Sequence, residues 1–205
     1  FPEGFVITQM AERLADKTKR LSAEQFIASA NDPSVISQYR PAGVSTLEGL
    51  LFPDTYQVSG DESEAQVVQR MVALLERVAR QVGLEDSQKL VGVSPYKALI
   101  VASMIEREAK VGVDRAKIAR VIYNRLEIGM KLQIDATLYY NAPIDASFLD
   151  LKALDSPYNT YLYKGLPPGP ICSPSLEAIK AVLNPAQHQY LFMCAKADFS
   201  GYHVF

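Results

Sequence analysis

The most constraining feature of the chain is an unbroken apolar segment near its middle that runs directly into charged residues. Residues 98–105 read ALIVASMI, and the acid-base-acid triplet at 106–108 follows at once. Upstream, Ser94 and the proline after it supply an N-cap and a first helical residue. The sequence therefore predicts a buried helix over 95–109 that ends with a carboxylate placed against hydrocarbon.

Glu106 lies about three turns into that helix, close to the negative pole of its dipole. Its neighbours on the same face are small or apolar: Leu99, Ala102, Ser103 and Ala109. Desolvation and the dipole both disfavour the ionised form, so we expect an acid that keeps its proton near neutral pH, as glycosidic cleavage requires. The alternative is that Glu106 only begins the polar end of a buried helix. Glu108, about 200° away around the helix, faces equally apolar neighbours, so periodicity leaves the choice between the two glutamates open.

Composition limits the possible classes of function. The 205 residues suffice for one domain or slightly more, and 48% apolar and 21% charged residues match an ordinary globular protein. A net charge of −2 gives no basic footprint for nucleic acid or anionic lipid. No apolar run approaches the ~18 residues of a membrane span, and no signal peptide is visible. Because the chain begins and stops inside apparent elements, we expect it to be a trimmed fragment.

Metal and thiol chemistry find little support. Cys172 and Cys194 lack the close spacing of a zinc site, and neither His188 nor His203 stands at ligand spacing. The sequence allows two interpretations of Cys172 and Cys194: two buried thiols, or one disulfide. The motifs G-x-S-x-G, Walker A, H-E-x-x-H and G-x-G-x-x-G are absent. What survives is acid–base chemistry by carboxylates, or binding without chemistry.

The order of predicted elements favours an α+β fold, because helices and strands are segregated along the chain. The first forty residues suggest a small α/β unit with two capped helices, the second opening at Ser22. Residues 41–43, Pro-Ala-Gly, mark a boundary. An amphipathic helix ends at Gly83, and residues 190–195 and 202–205 suggest a closing hairpin.

Two further segments carry more polar groups than packing requires. Gln133, Asp135 and Thr137 alternate, so in an extended stretch they point one way and offer hydrogen bonds to sugar hydroxyls. An exposed strand face is an equally open interpretation. Residues 156–163 are dense in aromatic and amide groups and lead into the stiff loop 165–170, which suits either a cleft wall or a structural turn. In the 47–56 segment we expect Glu48 and Asp54 to be structural.

Read together, these segments resemble the YceG-like (MltG-type) endolytic murein transglycosylases. The matching stretches occur in the family's order: LEGLLFPDTY from Leu47, ASMIEREA from Ala102, VIYNRLEIGMKLQIDATLYY from Val121, YNTYLYKGLPPGPICSP from Tyr158 and GYHVF from Gly201. The resemblance implies a LysM-like subdomain over 1–44, truncated at its start, and a catalytic domain with a groove over 45–205. Ile134 and Ala136 depart from the family's pattern around the aspartate.

In that family the first glutamate of the E-[RK]-E stretch is catalytic, which here falls on Glu106. The resemblance implies cleavage of the β-1,4 bond between N-acetylmuramic acid (MurNAc) and N-acetylglucosamine (GlcNAc) in glycan strands. The product is a 1,6-anhydroMurNAc end, and one glutamate serves as acid and then as base, without a metal or cofactor. The motif positions expected to line the cleft are Gln133, Asp135, Thr137, Tyr158, Asn159 and Thr160.

The resemblance also implies partners and a location. The partner is the peptidoglycan glycan strand, with cell-wall synthases as further candidates, and nucleic acid is not expected. Family members carry an N-terminal membrane anchor that this sequence lacks, so the full-length protein is expected at the outer face of the cell membrane, towards the wall. Two other functions stay open: a hydrolytic muramidase in which Asp135 or another carboxylate activates water, and a peptidoglycan-binding module without activity.

Overall fold

The computed structural model describes residues 1–143, 145–198 and 200–205, and this part of the chain is mostly helical. Its helices are α1 (Ile7–Thr18), α2 (Ala23–Ala30), α3 (Glu64–Gln81), α4 (Ser87–Val91), α5 (Pro95–Glu108), α6 (Arg115–Glu127), α7 (Asp135–Leu138), α8 (Phe148–Ala153) and α9 (Leu176–Leu183), with 3-10 turns at Leu84–Asp86 and Gly112–Asp114. Strands β1 (Cys194–Ala195) and β2 (His203–Val204) pair antiparallel. The prediction of an α+β class is therefore confirmed only in part: the fold is mixed helical and contains little strand.

Helix α5 is the centre of the molecule. The predicted cap is confirmed, because the Lys97 N–H donates to Ser94 Oγ at 3.4 Å and proline occupies the first helical position. Residues 98–105 are all buried, as an apolar run without a polar face predicts. The helix packs against α6, α7 and α9. Beyond residue 105 the helix reaches solvent again, at Glu106, Arg107 and Glu108.

The N-terminal region joins the same core. Residues 1–44 contain α1 and α2 but no strand, so the β part of the predicted α/β unit is wrong. Helix α2 packs against both α1 and α3, and the Leu47 N–H donates to the Ala30 carbonyl at 3.0 Å. One buried hydrophobic cluster extends from Ile7 to Leu183 across the expected boundary. The LysM-like assignment and the boundary at residue 44 stay predictions.

The segment after α6 differs from the sequence expectation. Gln133 has a φ of 49°, in the left-handed region, and its N–H donates to the Thr160 carbonyl at 3.1 Å. The predicted extended stretch is wrong from Asp135 onward, because those residues form the single turn of α7. The predicted closing hairpin is present in a short form, β1 with β2. None of the helices in the described residues has the length and apolar character needed to cross a bilayer.

Candidate active site

The carboxylate of Glu106 contacts the residue that caps the N-terminus of another helix. Glu106 is half-buried at the C-terminal end of α5, and Ser175 is the N-cap of α9. The Ser175 N–H donates to Glu106 Oε2 at 2.9 Å, and the Ser175 hydroxyl donates to the same oxygen. That hydroxyl also accepts the Ala178 N–H at 3.1 Å. Both recorded hydrogen bonds therefore hold Oε2, and none of the described residues is recorded as donating to Oε1.

This contact changes the electrostatic expectation. Glu106 stands at the negative pole of α5, as predicted, but its carboxylate also lies at the N-terminus of α9, where a helix stabilises negative charge. Leu99, Ala102 and Ser103 are buried, as predicted for the neighbours of Glu106 on its helix face. The prediction did not include the polar groups of Ser175 that contact the carboxylate. Retention of a proton by Glu106 near neutral pH stays a prediction.

The segment before α1 covers one side of this site. The Gly4 N–H donates to the Ser173 carbonyl at 2.9 Å, and the Ser173 N–H donates to the Phe5 carbonyl at 2.8 Å. A Cβ atom on Gly4 would lie 3.8 Å from Glu106 Cγ, so the backbone passes in van der Waals range of the glutamate. Glu3 is exposed beside it. Partial burial and then the charge of Glu106 raise the pKa of Glu3 above its ordinary value.

Behind Glu106 the two segments 100–106 and 171–175 are joined through buried groups. Ser103 Oγ donates to the Ile100 carbonyl at 2.8 Å and accepts the Ile171 N–H at 3.0 Å. The Cys172 thiol donates to the Ser103 carbonyl at 3.3 Å. Burial, and then the charge of Glu106, raise the pKa of Cys172, so this thiol is poorly suited to nucleophilic attack. Both cysteines are free, and Cys194 is exposed rather than buried as one expectation had it.

Glu108 belongs to a different cluster. His203 Nε2 lies 3.9 Å from Glu108 Oε1, while His203 Nδ1 lies 3.4 Å from Asp114 Oδ2. Asp114 Oδ2 also accepts the His203 N–H at 2.7 Å. Burial raises the pKa of Glu108, with a further contribution from the charge of Asp135 and an opposing one from His203 and Lys110. These contacts fasten the β2 strand to the ends of α5 and α6.

The expected cleft residues divide into exposed and buried groups. Gln133 and Asp135 are exposed, and the Tyr161 hydroxyl donates to Asp135 Oδ1. Thr137, Asn159 and Thr160 are at most 2% exposed. The hydroxyls of Thr137 and Thr160 lie 3.0 Å apart, and Thr160 Oγ1 accepts the Ile134 N–H at 3.0 Å.

Asn159 is equally occupied by the protein. Its Nδ2 donates to the carbonyls of Leu151, Lys152 and Leu154 at 2.9–3.2 Å. Its Oδ1 accepts backbone N–H groups of the following turn. Thr137, Tyr158 and Asn159 line a pocket of about 190 Å³ between α7, α8 and the 156–159 segment. The polar groups of Thr137, Asn159 and Thr160 thus bond within the protein, and their contact with substrate stays a prediction.

Glu48 lies in a tyrosine-rich site. It is 5% exposed, and it accepts the Ile7 N–H at 3.2 Å and the Gly49 N–H at 3.3 Å. Burial raises the pKa of Glu48 to about 7, against the effect of those N–H donors and of the Tyr140 hydroxyl. The Tyr140 and Tyr158 rings are in contact, with centroids 4.5 Å apart and planes tilted by 42°. These contacts agree with the structural role expected for Glu48.

The structure gives Glu106 and Asp135 different partners, on helices α5 and α7 that pack against each other. The recorded neighbours of Glu106 are Ser175, Cys172 and residues 3–4. Those of Asp135 are Tyr161 and Glu108. A groove that joins Glu106 to segments 133–137 and 158–161 stays a prediction. Sequence reasoning missed Ser175, because it lies 69 residues from Glu106 along the chain.

Among the described residues no cluster of three or more His, Cys, Asp or Glu side chains is arranged to hold a metal ion. Fold and site together define a mixed helical domain that presents one half-buried glutamate at the start of a neighbouring helix. The YceG-like family model matches residues 1–205, and the chain belongs to the YceG-like family.

Similar proteins agree with that membership. A Bacillus subtilis protein named endolytic murein transglycosylase is 37% identical over 213 residues, covering 96% of this chain and 58% of the relative. A Streptococcus pneumoniae protein of the same name is 31% identical over 219 residues, covering 95% of this chain and 39% of the relative. The crystal structure of a yceG-like protein from Listeria monocytogenes matches with a TM-score of 0.86 and 32% identity, over 100% of this chain and 71% of that one.

Proposed function

We propose that the chain is the catalytic part of an endolytic lytic transglycosylase that cleaves MurNAc-GlcNAc β-1,4 bonds within peptidoglycan glycan strands. The names of the curated relatives support the activity, although the chain spans only 58% and 39% of their lengths. The observation that carries the role of Glu106 is its anchoring: Ser175 holds Oε2, and Oε1 is left for substrate.

The proposed reaction needs one carboxyl group. Glu106 first donates its proton to the glycosidic oxygen as the bond from that oxygen to C1 of the muramyl sugar breaks. The GlcNAc side leaves as an alcohol, and positive charge develops at C1. The carboxylate of Glu106 then takes the proton of the muramyl C6 hydroxyl, while the oxygen of that hydroxyl forms a bond to C1. The ring closes as 1,6-anhydroMurNAc, Glu106 is protonated again, and no water is consumed.

The surroundings of Glu106 suit a residue that must exist in both states. The C-terminus of α5 disfavours its negative charge, while the N-terminus of α9 and the two Ser175 donors favour it. The two Ser175 donors to Oε2 also fix the Glu106 side chain. Oε1 therefore both gives the proton to the glycosidic oxygen and takes the proton from the C6 hydroxyl.

Substrate, location and partners follow from the resemblance. We propose peptidoglycan as the substrate and the wall-facing side of the cell membrane as the location, with a membrane anchor supplied by the full-length protein. Cell-wall synthases are proposed as partners on the resemblance alone. Asp135, Gln133 and Tyr158 are the proposed substrate contacts that retain accessible groups.

Product analysis tests the proposal. Purified full-length protein is incubated with isolated peptidoglycan, and the soluble muropeptides are separated and identified by mass spectrometry. The transglycosylase yields 1,6-anhydroMurNAc ends, which are lighter than reducing MurNAc ends by one water. Reducing ends in their place identify a hydrolytic muramidase, and glycan strands that bind the protein but stay intact identify a binding module.

A further inference from the structure

We propose that the cleft between α1 and residues 55–60 is a second binding site for the substrate, where Arg13, Lys17 and Arg20 bind the carboxylates of the peptides on peptidoglycan strands. The inference rests on the proposed function, because it extends the contact with peptidoglycan beyond the sugars that react. The mechanism above uses none of these residues.

The cleft has the size of a ligand site. Its volume is about 560 Å³, within the range of small-molecule pockets. Arg13 and Lys17 line it from α1, and Arg20 lines it from the chain just after that helix. Tyr56 and Ser59 contribute from the 55–60 segment.

The charged side chains of the cleft all have one sign. Arg13, Lys17 and Arg20 are cations, and none of the described residues that line the cleft is acidic. This excess is local, because the whole chain has a net charge of −2. Arg13 and Lys17 stand four residues apart on α1, and like charges at that spacing destabilise a helix unless an anion offsets them. The cleft therefore suits an anionic ligand.

The acids near the cleft leave two of its cations available. Lys17 pairs with Asp16 at 3.2 Å, and Asp54 Oδ1, beside the lining residue Thr55, accepts the Thr55 N–H at 2.7 Å. Within the described part of the chain, the guanidinium groups of Arg13 and Arg20 have no carboxylate within 4 Å. A guanidinium presents paired N–H donors that match the two oxygens of a carboxylate.

Contacts among its own residues fasten the walls of the cleft. The Arg20 guanidinium donates to the Ser59 carbonyl, which ties the chain after α1 to the other wall. The Tyr56 hydroxyl donates to the Phe52 carbonyl at 2.8 Å, and the Tyr56 ring contacts the Phe1 ring edge-on, with centroids 5.7 Å apart. A site whose walls are held before binding loses less entropy when the ligand enters.

The identity of the anion follows from the proposed substrate and from the position of the cleft. The sugars of a peptidoglycan strand are uncharged, whereas the peptides attached to its muramyl residues carry free carboxylates. Phe1 lines the cleft, and the Gly4 backbone lies in van der Waals range of Glu106. Three residues of chain span at most about 11 Å, so a peptide that branches from a strand bound at Glu106 reaches the cleft.

The test is steady-state cleavage of two matched substrates by the full-length protein. One is soluble, uncross-linked glycan strands that carry their peptides, and the other is the same strands after an amidase has removed the peptides. The wild type should have the lower KM on the peptide-bearing strands. Arg13→Gln should raise that KM about 3-fold, with kcat and the KM on bare strands unchanged.

Charge variants and a control sharpen this test. Arg13→Glu, which replaces an attraction with a repulsion, should raise the KM on peptide-bearing strands about 10-fold, and 0.5 M salt should shrink both effects. Lys89→Gln removes the same charge from α4, outside the cleft lining, and should leave both KM values in place. Equal wild-type KM values on the two substrates, or an Arg13→Gln effect of equal size on both, overturn the inference and leave the proposed function standing.

A second measurement does not depend on cleavage. Isothermal titration calorimetry follows the binding of three probes to the full-length protein: a synthetic stem peptide with free carboxylates, the same peptide with its carboxylates converted to amides, and inorganic phosphate. The acid form should bind, and the amide form should bind at least about 3-fold more weakly, as should the acid form to Arg13→Gln.

The outcomes of the calorimetry separate the inference from the proposed function. Preferential binding of the acid form, lost in Arg13→Gln, supports the inference even if strands yield no anhydro ends, in which case the proposed function alone fails. Equal or absent binding of the two peptide forms overturns the inference. Tighter binding of phosphate than of the acid form assigns the cleft to phosphate-bearing ligands and overturns it as well.

Discussion

The buried acid Glu48 makes a prediction about stability that does not depend on catalysis. Glu48→Gln replaces a carboxyl group that is 5% exposed and in contact with two backbone N–H groups. The amide is neutral at every pH and has one acceptor oxygen instead of two. We expect the variant to be the less stable protein in acid and the more stable one in mild alkali.

The magnitude follows from the titration of Glu48. Its pKa rises from 4.5 to about 7 on folding, mainly because burial penalises the charge. The folded value exceeds the unfolded one, so the stabilising contribution is complete below the unfolded pKa, falls as pH rises, and is exhausted once pH passes the folded pKa. At about 1.4 kcal/mol per pH unit, the loss is about 3 kcal/mol between pH 4 and pH 8. The missing acceptor costs the variant about 1 kcal/mol at every pH.

Urea unfolding followed by far-UV circular dichroism measures the effect, since the chain has no tryptophan. Between pH 5 and pH 8 the free energy of unfolding of Glu48→Gln should rise by about 2–3 kcal/mol relative to the wild type. Glu12→Gln, at an exposed position on α1, should keep the wild-type slope. A difference between Glu48→Gln and wild type that stays constant with pH would refute the argument from burial.

Two further variants test single contacts: the cap at Ser175 and the close approach of Gly49 to Pro170. Ser175→Ala removes the α9 cap and both hydroxyl contacts, and should cost about 1 kcal/mol of unfolding free energy and about 10-fold or more in glycan cleavage. Ser22→Ala, the matched loss of the α2 cap, should cost similar stability with no change in cleavage, and equal activities would contradict the anchoring role. Gly49→Ala places a Cβ 2.3 Å from Pro170 Cβ and should lose about 1–3 kcal/mol more than Gly43→Ala, where the left-handed φ is shared and no atom lies within 4 Å. Equal denaturation midpoints would exclude the clash.

Local patterns predicted the elements whose stability is local. The Ser94 cap and the apolar run fix α5 because each acts within one helix. The stripe of α3 was predicted in the same way, and Val68, Met71 and Leu75 are buried as its period requires. The Ser22 cap of α2 is likewise present.

Distant contacts could not be predicted in this way. Ser175 and Glu106 are 69 residues apart, and no pattern within either segment encodes their meeting. The alternation at 133–137 has the period of a strand, but the Thr160 hydroxyl takes the Ile134 N–H and the chain turns into α7. Tertiary hydrogen bonds there outweigh the local preference. The resemblance supplied the choice of Glu106 over Glu108, which periodicity left open.

The rate of anhydro-end formation in Glu106→Gln, measured beside Glu108→Gln, tests the central claim most directly. The two glutamates lie two residues apart on α5, and their contacts differ: one meets Ser175, the other His203. The account predicts a loss of at least ~10²-fold for Glu106→Gln and a rate close to wild type for Glu108→Gln, with both variants folded by circular dichroism. A Glu106→Gln protein that cleaves glycan strands at the wild-type rate would contradict it.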